Sequence, residues 1–268
     1  MLTLRQSFIS SVIDACPRLA QLTYLDRIER ATTFDLAVGT LFHLTYECYF
    51  KSILSTGTHL SFEDLSDYVT SLINNRVIST ENGDIDLDDI SSYDGELHTD
   101  KDLKDMALSV VQAYYNIATG IDDVRDSEVY GKIEVAEVTI TTHLDLLCQS
   151  GIKEFKTARV KQRGRIGRIT QYFPDYDRYA ILTKTQPHIH LLVFGVQQYQ
   201  YHVVGKGVRE LTASLDVDHG QEHIDIWTNR VLIPTLTQIK AGIFHAKRSG
   251  LCTVCPFAKD SRLCGMLL

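Results

Sequence analysis

The sequence predicts an α/β fold in which a mixed central sheet is flanked by helices. Three observations carry that expectation. A helical first half gives way at Lys132 to a stretch rich in Val, Ile, Thr and Leu. Helical and strand patterns then alternate, the order that builds a sheet covered by helices. The chain is 268 residues long, 44% hydrophobic and 23% charged, a globular composition with ample length for a core.

The elements follow in order. Residues 7–25 read as helix, broken at Ala15-Cys16-Pro17, where Pro17 sets the first turn of a new helix because its missing N–H is not needed there. Residues 34–54 have helical periodicity and stop before Gly57. A helix over 61–79 starts at Ser61, with Asp64 three residues on as a capping-box partner. Residues 81–95 read as an acidic surface loop, and 100–119 as a helix stopped by Gly120. Strands are expected at 132–140, 142–149 and 151–157, with Ser150-Gly151 as a tight turn. Residues 168–184 read as a helix whose first turn holds Pro174, and 188–205 as a strand or hairpin. A long helix over 221–246 has to tolerate Pro234, and the tail after Gly250 is a cysteine-bearing loop. The N-terminus has no long apolar block and no small-residue cleavage site, and no run nears the ~18 apolar residues of a membrane span. The expectation is a cytoplasmic protein with no membrane partner.

The net charge of −7 disfavours a polyanion partner only at first sight, because the acids concentrate in 81–105, where ten stand against two lysines. The rest of the chain is close to neutral, and binding depends on where charge sits. From Lys153 to Arg168 there are seven Lys or Arg and one acid, Glu154. Arg159, Lys161, Arg163, Arg165 and Arg168 therefore form a candidate nucleic-acid-binding loop.

Within Ser150–Val160, Glu154 and Lys156 flank Phe155, so on a strand the two charges share one face and Phe155 takes the other. A tight turn makes the preceding strand antiparallel and brings Asp145 toward them, at one edge of the sheet. Two converging carboxylates repel unless a divalent cation neutralises them, and Mg²⁺ or Mn²⁺ prefers such oxygen ligands. Taken alone, the pair reads more readily as a surface ion pair.

Asp145 followed by Glu154-Phe155-Lys156 resembles the PD-(D/E)XK nuclease superfamily, and Gly39 with His43, four apart on one helix face, resembles its RecB-like branch. The resemblance implies a restriction-endonuclease-like core at about 130–206, a helical insertion at about 57–125, and a C-terminal helix and loop at about 221–268, all in one domain. It implies a metal held by His43, Asp145, Glu154 and the Phe155 carbonyl, with Lys156 supporting the attacking water. The branch's Gln-x-x-x-Tyr helix is matched at Tyr179, but Asp175 stands where Gln is expected, and Gln171 lies eight before the tyrosine. Either Gln171 takes the role or the role is lost.

Six cysteines remain. Cys252, Cys255 and Cys264 fall in one tail loop, a spacing that in a cytosolic chain points to metal or redox use. With Cys16-Pro17 near the start, they resemble the iron–sulfur subgroup of RecB-like nucleases, which implies a [4Fe–4S] cluster stapling the chain ends. Zn²⁺ stays open as an alternative, since the last spacing is longer than the subgroup's. Cys48 and Cys148 read as buried thiols. The resemblance implies a Mg²⁺- or Mn²⁺-dependent deoxyribonuclease, an exonuclease on single-stranded or open DNA ends, with possible protein partners in recombination, CRISPR or viral pathways. A non-catalytic nucleic-acid-binding or assembly subunit is the competing expectation.

Overall fold

The structure is a computed structural model that describes residues 2–28, 32–80, 83–87, 90–91, 98–166, 169–174, 184–206, 211–249, 252, 255, 257–258 and 261–264. Strand β1 (Leu2–Arg5) leads into α1 (Gln6–Ser10), a π-helical turn, α2 (Pro17–Ala20) and a second π-helical turn. After β2 (Thr32–Thr33) come the long α3 (Phe34–Thr56) and α4 (Phe62–Asn74), then the short strands β3 (Val77–Thr80), β4 (Gly83–Asp86) and β5 (Ile90–Ser91), then α5 (Asp100–Ala118). The sheet strands β6 (Val124–Val135), β7 (Val138–Cys148), β8 (Gly151–Ile166) and β9 (Ile169–Pro174) follow. Helix α6 (Thr185–Phe194), strands β10 (Gln198–Lys206) and β11 (Thr212–Asp218), and helices α7 (Gln221–Trp227), α8 (Ile233–Lys240) and α9 (Ser261–Cys264) complete the described elements.

The main sheet runs β1-β7-β8-β10-β11, with β6 on β7 and β9 on β8. It is mixed: β1–β7 and β8–β10 are parallel, and β6–β7, β7–β8 and β10–β11 are antiparallel. Alternate residues of β8 and β10 bury on opposite sides. Phe155 and Val204 join a core with α3, α4 and α5. Ile152, Tyr201 and Val203 join another that includes Leu191 of α6 and Ile224 of α7. A third core links the N-terminal helices to Val138, Ile140, Ile189 and Trp227. Helices therefore cover both faces of the sheet, as expected.

Several boundaries differ from the sequence reading, each for a physical reason. The strands expected at 132–140 and 142–149 divide instead at Ala136-Glu137, which both adopt positive φ (48° and 63°) without the Gly or Asn that normally marks such a turn. Residues 169–174, expected in a helix, form β9, which pairs with β8 from Ile166↔Ile169 to Val160↔Pro174. The basic run is thus part of a two-stranded ribbon over its described backbone, rather than a loop. Residues 188–194, expected as strand, lie in α6, and the strand starts at Gln198. The helix expected over 221–246 ends at Lys240, and a π-helical turn, Thr228–Leu232, precedes Pro234, which lacks the N–H to continue a regular ladder. Ser61 and Asp64 do form the reciprocal capping box of α4, which ends at Asn74 rather than 79. Cys148 is buried as expected, whereas Cys48 is only half-buried.

Candidate active site

Strands β7 and β8 pair outward from their turn as Cys148↔Gly151, Leu147↔Ile152 and Leu146↔Lys153, and the ladder ends there. Beyond it β7 stays with β1 and β6, while β8 stays with β10. The two strands fork at the next position, where Asp145 faces Glu154. Asp145 itself fills part of the break: its Oδ2 accepts the Phe155 backbone N–H at 2.6 Å, so the donor that leaves the ladder is satisfied by a side chain.

The fork admits groups from both faces of the sheet. From one side α3 brings His43, whose Nδ1 lies 3.2 Å from Asp145 Oδ1. Gly39, one turn earlier, eases this approach: a Cβ there would stand a tight 3.3 Å from Thr157 Oγ1 on β8. From the other side α6 brings Gln186, whose Nε2 donates to Glu154 Oε1 at 2.5 Å. Lys156 Nζ donates to the same oxygen at 2.6 Å. Glu154 Oε2 is buried with no hydrogen-bond partner, and His190 Nδ1, also without one, lies 3.8 Å away. The start of α6 is itself fixed from the N-terminal segment, because the Asp14 carboxylate accepts both the backbone N–H and the hydroxyl of Thr185.

The side chain of Glu154 is only 3% exposed. Burial pushes its carboxyl up to about 6, the Asp145 charge adds to the rise, and Lys156 and His43 oppose it. Burial also acts upward on Asp145. There His43, Lys156 and the Phe155 N–H outweigh it and hold the carboxyl well below the usual carboxylate range. Two neighbouring carboxyls pushed apart in this way mark a site that stores unfavourable charge. An unpartnered, buried carboxylate oxygen beside a second carboxylate and an imidazole is a donor set that fits a hard divalent cation.

Of the residues singled out from the sequence, the structure brings together His43, Asp145, Glu154 and Lys156, with Phe155 between them. One expectation needs correcting: β8 is an interior strand, so the pair sits in the middle of the sheet and Glu154 is buried. Arg168 and Tyr179 lie outside the described residues, as do the side chains of Arg159, Lys161, Arg163, Arg165 and Gln171. The Gln171 backbone belongs to β9, so it is not on the helix that packs over the carboxylates. That helix is α6, and its Gln186-Pro-His-Ile-His190 supplies a glutamine and a ring residue four apart. The available signal was a Gln-x-x-x-ring spacing after the Glu-x-Lys strand, hidden by a run, His188–Phe194, that alternates like a strand.

Cys16, Cys252, Cys255 and Cys264 line one cavity together with Arg18, Leu22 and Phe257. All four are half-buried free thiols. Backbone N–H groups donate to two of the sulfurs, Lys247 to Cys16 at 3.3 Å and Ser249 to Cys252 at 3.4 Å. Arg18 Nε donates to the Leu263 carbonyl at 2.8 Å, a further tie between the chain ends. Four thiols around one cavity with N–H donors to sulfur fit a tetrathiolate group.

No helix among the described residues is long and apolar enough to cross a membrane. A family model described as the PD-(D/E)XK nuclease superfamily matches residues 11–260. Among curated proteins none matches. Of solved structures, the chain is similar to a "Putative exonuclease" of Eubacterium rectale, with 13% identity, 94% of this chain and 86% of that one covered, and a TM-score of 0.48. It is also similar to SSO0001, with 12% identity, coverage of 94% and 93%, and a TM-score of 0.36.

Proposed function

The chain belongs to the PD-(D/E)XK nuclease superfamily, a family of phosphodiester hydrolases, and on that premise we propose that it is a Mg²⁺- or Mn²⁺-dependent deoxyribonuclease acting on single-stranded or open DNA ends. The observation that carries the proposal is the fork itself, where the buried Glu154 and the half-buried Asp145 meet a lysine and a histidine and one Glu154 oxygen is left without a hydrogen bond. Asp145, Glu154, His43 and the Phe155 carbonyl would hold the cation. When bound, such an ion lowers the pKa of a water nucleophile and neutralises charge on the phosphate.

The chain's own groups do the rest. Lys156, a quarter exposed beside Glu154, is placed to orient a water and to stabilise negative charge developing on the phosphate. Gln186 and Lys156 fix one oxygen of Glu154 and leave the other without a hydrogen bond, 3.8 Å from His190 Nδ1. Phe155 holds the strand from behind. Arg159, Lys161, Arg163 and Arg165, on the backbone that continues directly from this strand, would together with Arg168 contact the nucleic-acid backbone. Tyr179 remains a proposed part of the site. The four cysteines would hold a [4Fe–4S] cluster that staples the chain ends, or Zn²⁺ in its place. A brown protein that absorbs near ~400 nm supports iron, whereas a colourless one with stoichiometric zinc replaces it.

The test is cleavage of labelled single-stranded DNA, linear and circular, with Mn²⁺. Wild type is expected to degrade the linear substrate, and Lys156→Ala to lose at least about 100-fold in rate. Binding without cleavage by wild type, or unchanged cleavage by Lys156→Ala, would turn the reading to a non-catalytic nucleic-acid-binding or assembly subunit.

A further inference from the structure

Away from the fork, three histidines converge where α6 meets the start of α7. His188 comes from α6, His219 from the turn after β11, and His223 from the first turn of α7. One ring nitrogen from each lies within 4.8 Å of the other two. His188 and His219 are buried, and His223 is exposed at the mouth.

The geometry defines which atoms are presented. His188 Nδ1 lies 2.7 Å from the Lys184 carbonyl, which can only accept, so Nδ1 carries the proton and Nε2 offers its lone pair. That Nε2 stands 3.0 Å from His223 Nε2. His219 stacks on His223 with centroids 4.2 Å apart and lies 4.4 Å from His188. Trp227 backs His188 from the far side at 4.6 Å and 22°. Burial holds His188 down to about 4, so it is a neutral imidazole at physiological pH, the form that ligates. Around a tetrahedral ion with ~2.0 Å bonds, nitrogens stand about 3.3 Å apart, so the His188–His223 pair is already near that spacing and the His219 nitrogen has to approach by at most about 1.5 Å.

We propose that His188, His219 and His223 form a binding site for a borderline divalent transition metal, Zn²⁺ foremost, with the fourth position left to water. Three imidazoles without a carboxylate select this class against Mg²⁺ or Ca²⁺. The Lys184 carbonyl that partners His188 is the kind of outer contact that orients a ligating ring. His219 stands just before the Gly220 N-cap of α7 and stacks on His223 in its first turn. The ion would clamp α7 to α6, two residues from the Gln186 that holds Glu154. The site is argued from these rings alone and stands whether or not the fork cleaves DNA.

The test uses the full chain and Zn²⁺ alone. Wild type, His223→Ala and His223→Gln are dialysed against buffered Zn²⁺, and bound zinc is counted by elemental analysis. His223 is exposed, so both variants are expected to fold, which circular dichroism checks. Wild type should hold one zinc more than either variant, with affinity at this site falling about 100-fold or more in the variants. Added Zn²⁺ should raise the melting temperature of wild type and not of the variants. Co²⁺ separates this site from the cysteines, since the signal lost in His223→Ala should be ligand-field absorption without sulfur charge transfer. Equal zinc counts and equal Zn²⁺-induced melting shifts in wild type and both variants would overturn the proposal, leaving three stacked, hydrogen-bonded histidines.

Discussion

Glu154→Gln should make the metal-free protein more stable while removing its activity. The substitution keeps the volume of a side chain that is 3% exposed and deletes its charge. Burial and the Asp145 charge push Glu154 from 4.5 up to about 6, so the charge it carries at neutral pH costs more in the folded than in the unfolded chain. At 1.36 kcal/mol per unit, that shift corresponds to roughly 2 kcal/mol. Relieving it should raise the melting temperature by about 4 to 8 °C for a domain of this size. Scanning calorimetry with a chelator present measures the shift. In the same variant, Mn²⁺ should no longer raise the melting temperature, and cleavage of linear single-stranded DNA should fall at least about 1000-fold, as for loss of a main electrostatic contact. The reasoning is refuted if Glu154→Gln melts below wild type without metal, because the carboxylate would then be a structural anchor and the fork no store of unfavourable charge.

Gln186→Ala should lower the cleavage rate about 10- to 100-fold, as expected for a group that orients a metal ligand. Added Mn²⁺ should partly restore it if the role is positioning, and an unchanged rate would remove Gln186 from the site. Phe155→Ala should destabilise by about 3–5 kcal/mol, the range for emptying a fully buried aromatic site. Urea unfolding reads this directly, and a loss under ~1 kcal/mol would mean that the ring does not anchor β8. The melting temperature should also fall between pH 6.5 and 4. Burial holds His188 and His202 down to about 4 and His190 to about 3, so the unfolded chain takes up their protons first. Their stabilisation is complete above 6.5 and is lost as the pH drops, by several kcal/mol in sum. Glu154 works the other way between 6 and 4.5, but as one group with a smaller shift. A melting temperature that rises on acidification through this window would refute the assignment of three buried neutral imidazoles.

The parts of the site that were legible in the sequence are those whose chemistry is local. Glu154 and Lys156 share a face because strand side chains alternate, and Asp145 meets them because a short turn folds β7 onto β8. Gly39 and His43 share a face because helical residues four apart do. The parts that were not legible depend on burial. Helix α6 carries Thr185, Pro187, His188, Ile189, His190 and Leu191, all buried, so it has no polar face and no amphipathic stripe to distinguish it from a strand. With α6 misread, Gln186 and His190 were invisible as partners of Glu154. The fork was hidden for a related reason. A hydrophobic pattern shows which strands pair, but the point where a ladder stops depends on competition for one backbone N–H, here won by the Asp145 carboxylate.

That competition explains how a three-residue stretch can serve two opposed demands. Glu154 is buried against its own ionisation, a cost of roughly 2 kcal/mol on the shift above. Phe155, its neighbour, points to the other face into a ring cluster, with Tyr114 at 5.2 Å, Phe50 at 5.7 Å and Tyr46 at 6.3 Å. Burial of one such ring is worth more than that cost. The parallel pairing of β8 with β10 runs unbroken from Ile152 to Arg159, so the strand stays fixed where β7 departs. A carboxylate with a free oxygen can therefore persist at the fork because the same strand is held by backbone pairing on one edge and by aromatic packing on the opposite face. Sequence changes on the aromatic side should shift stability and activity together, whereas changes confined to Glu154 should move them in opposite directions.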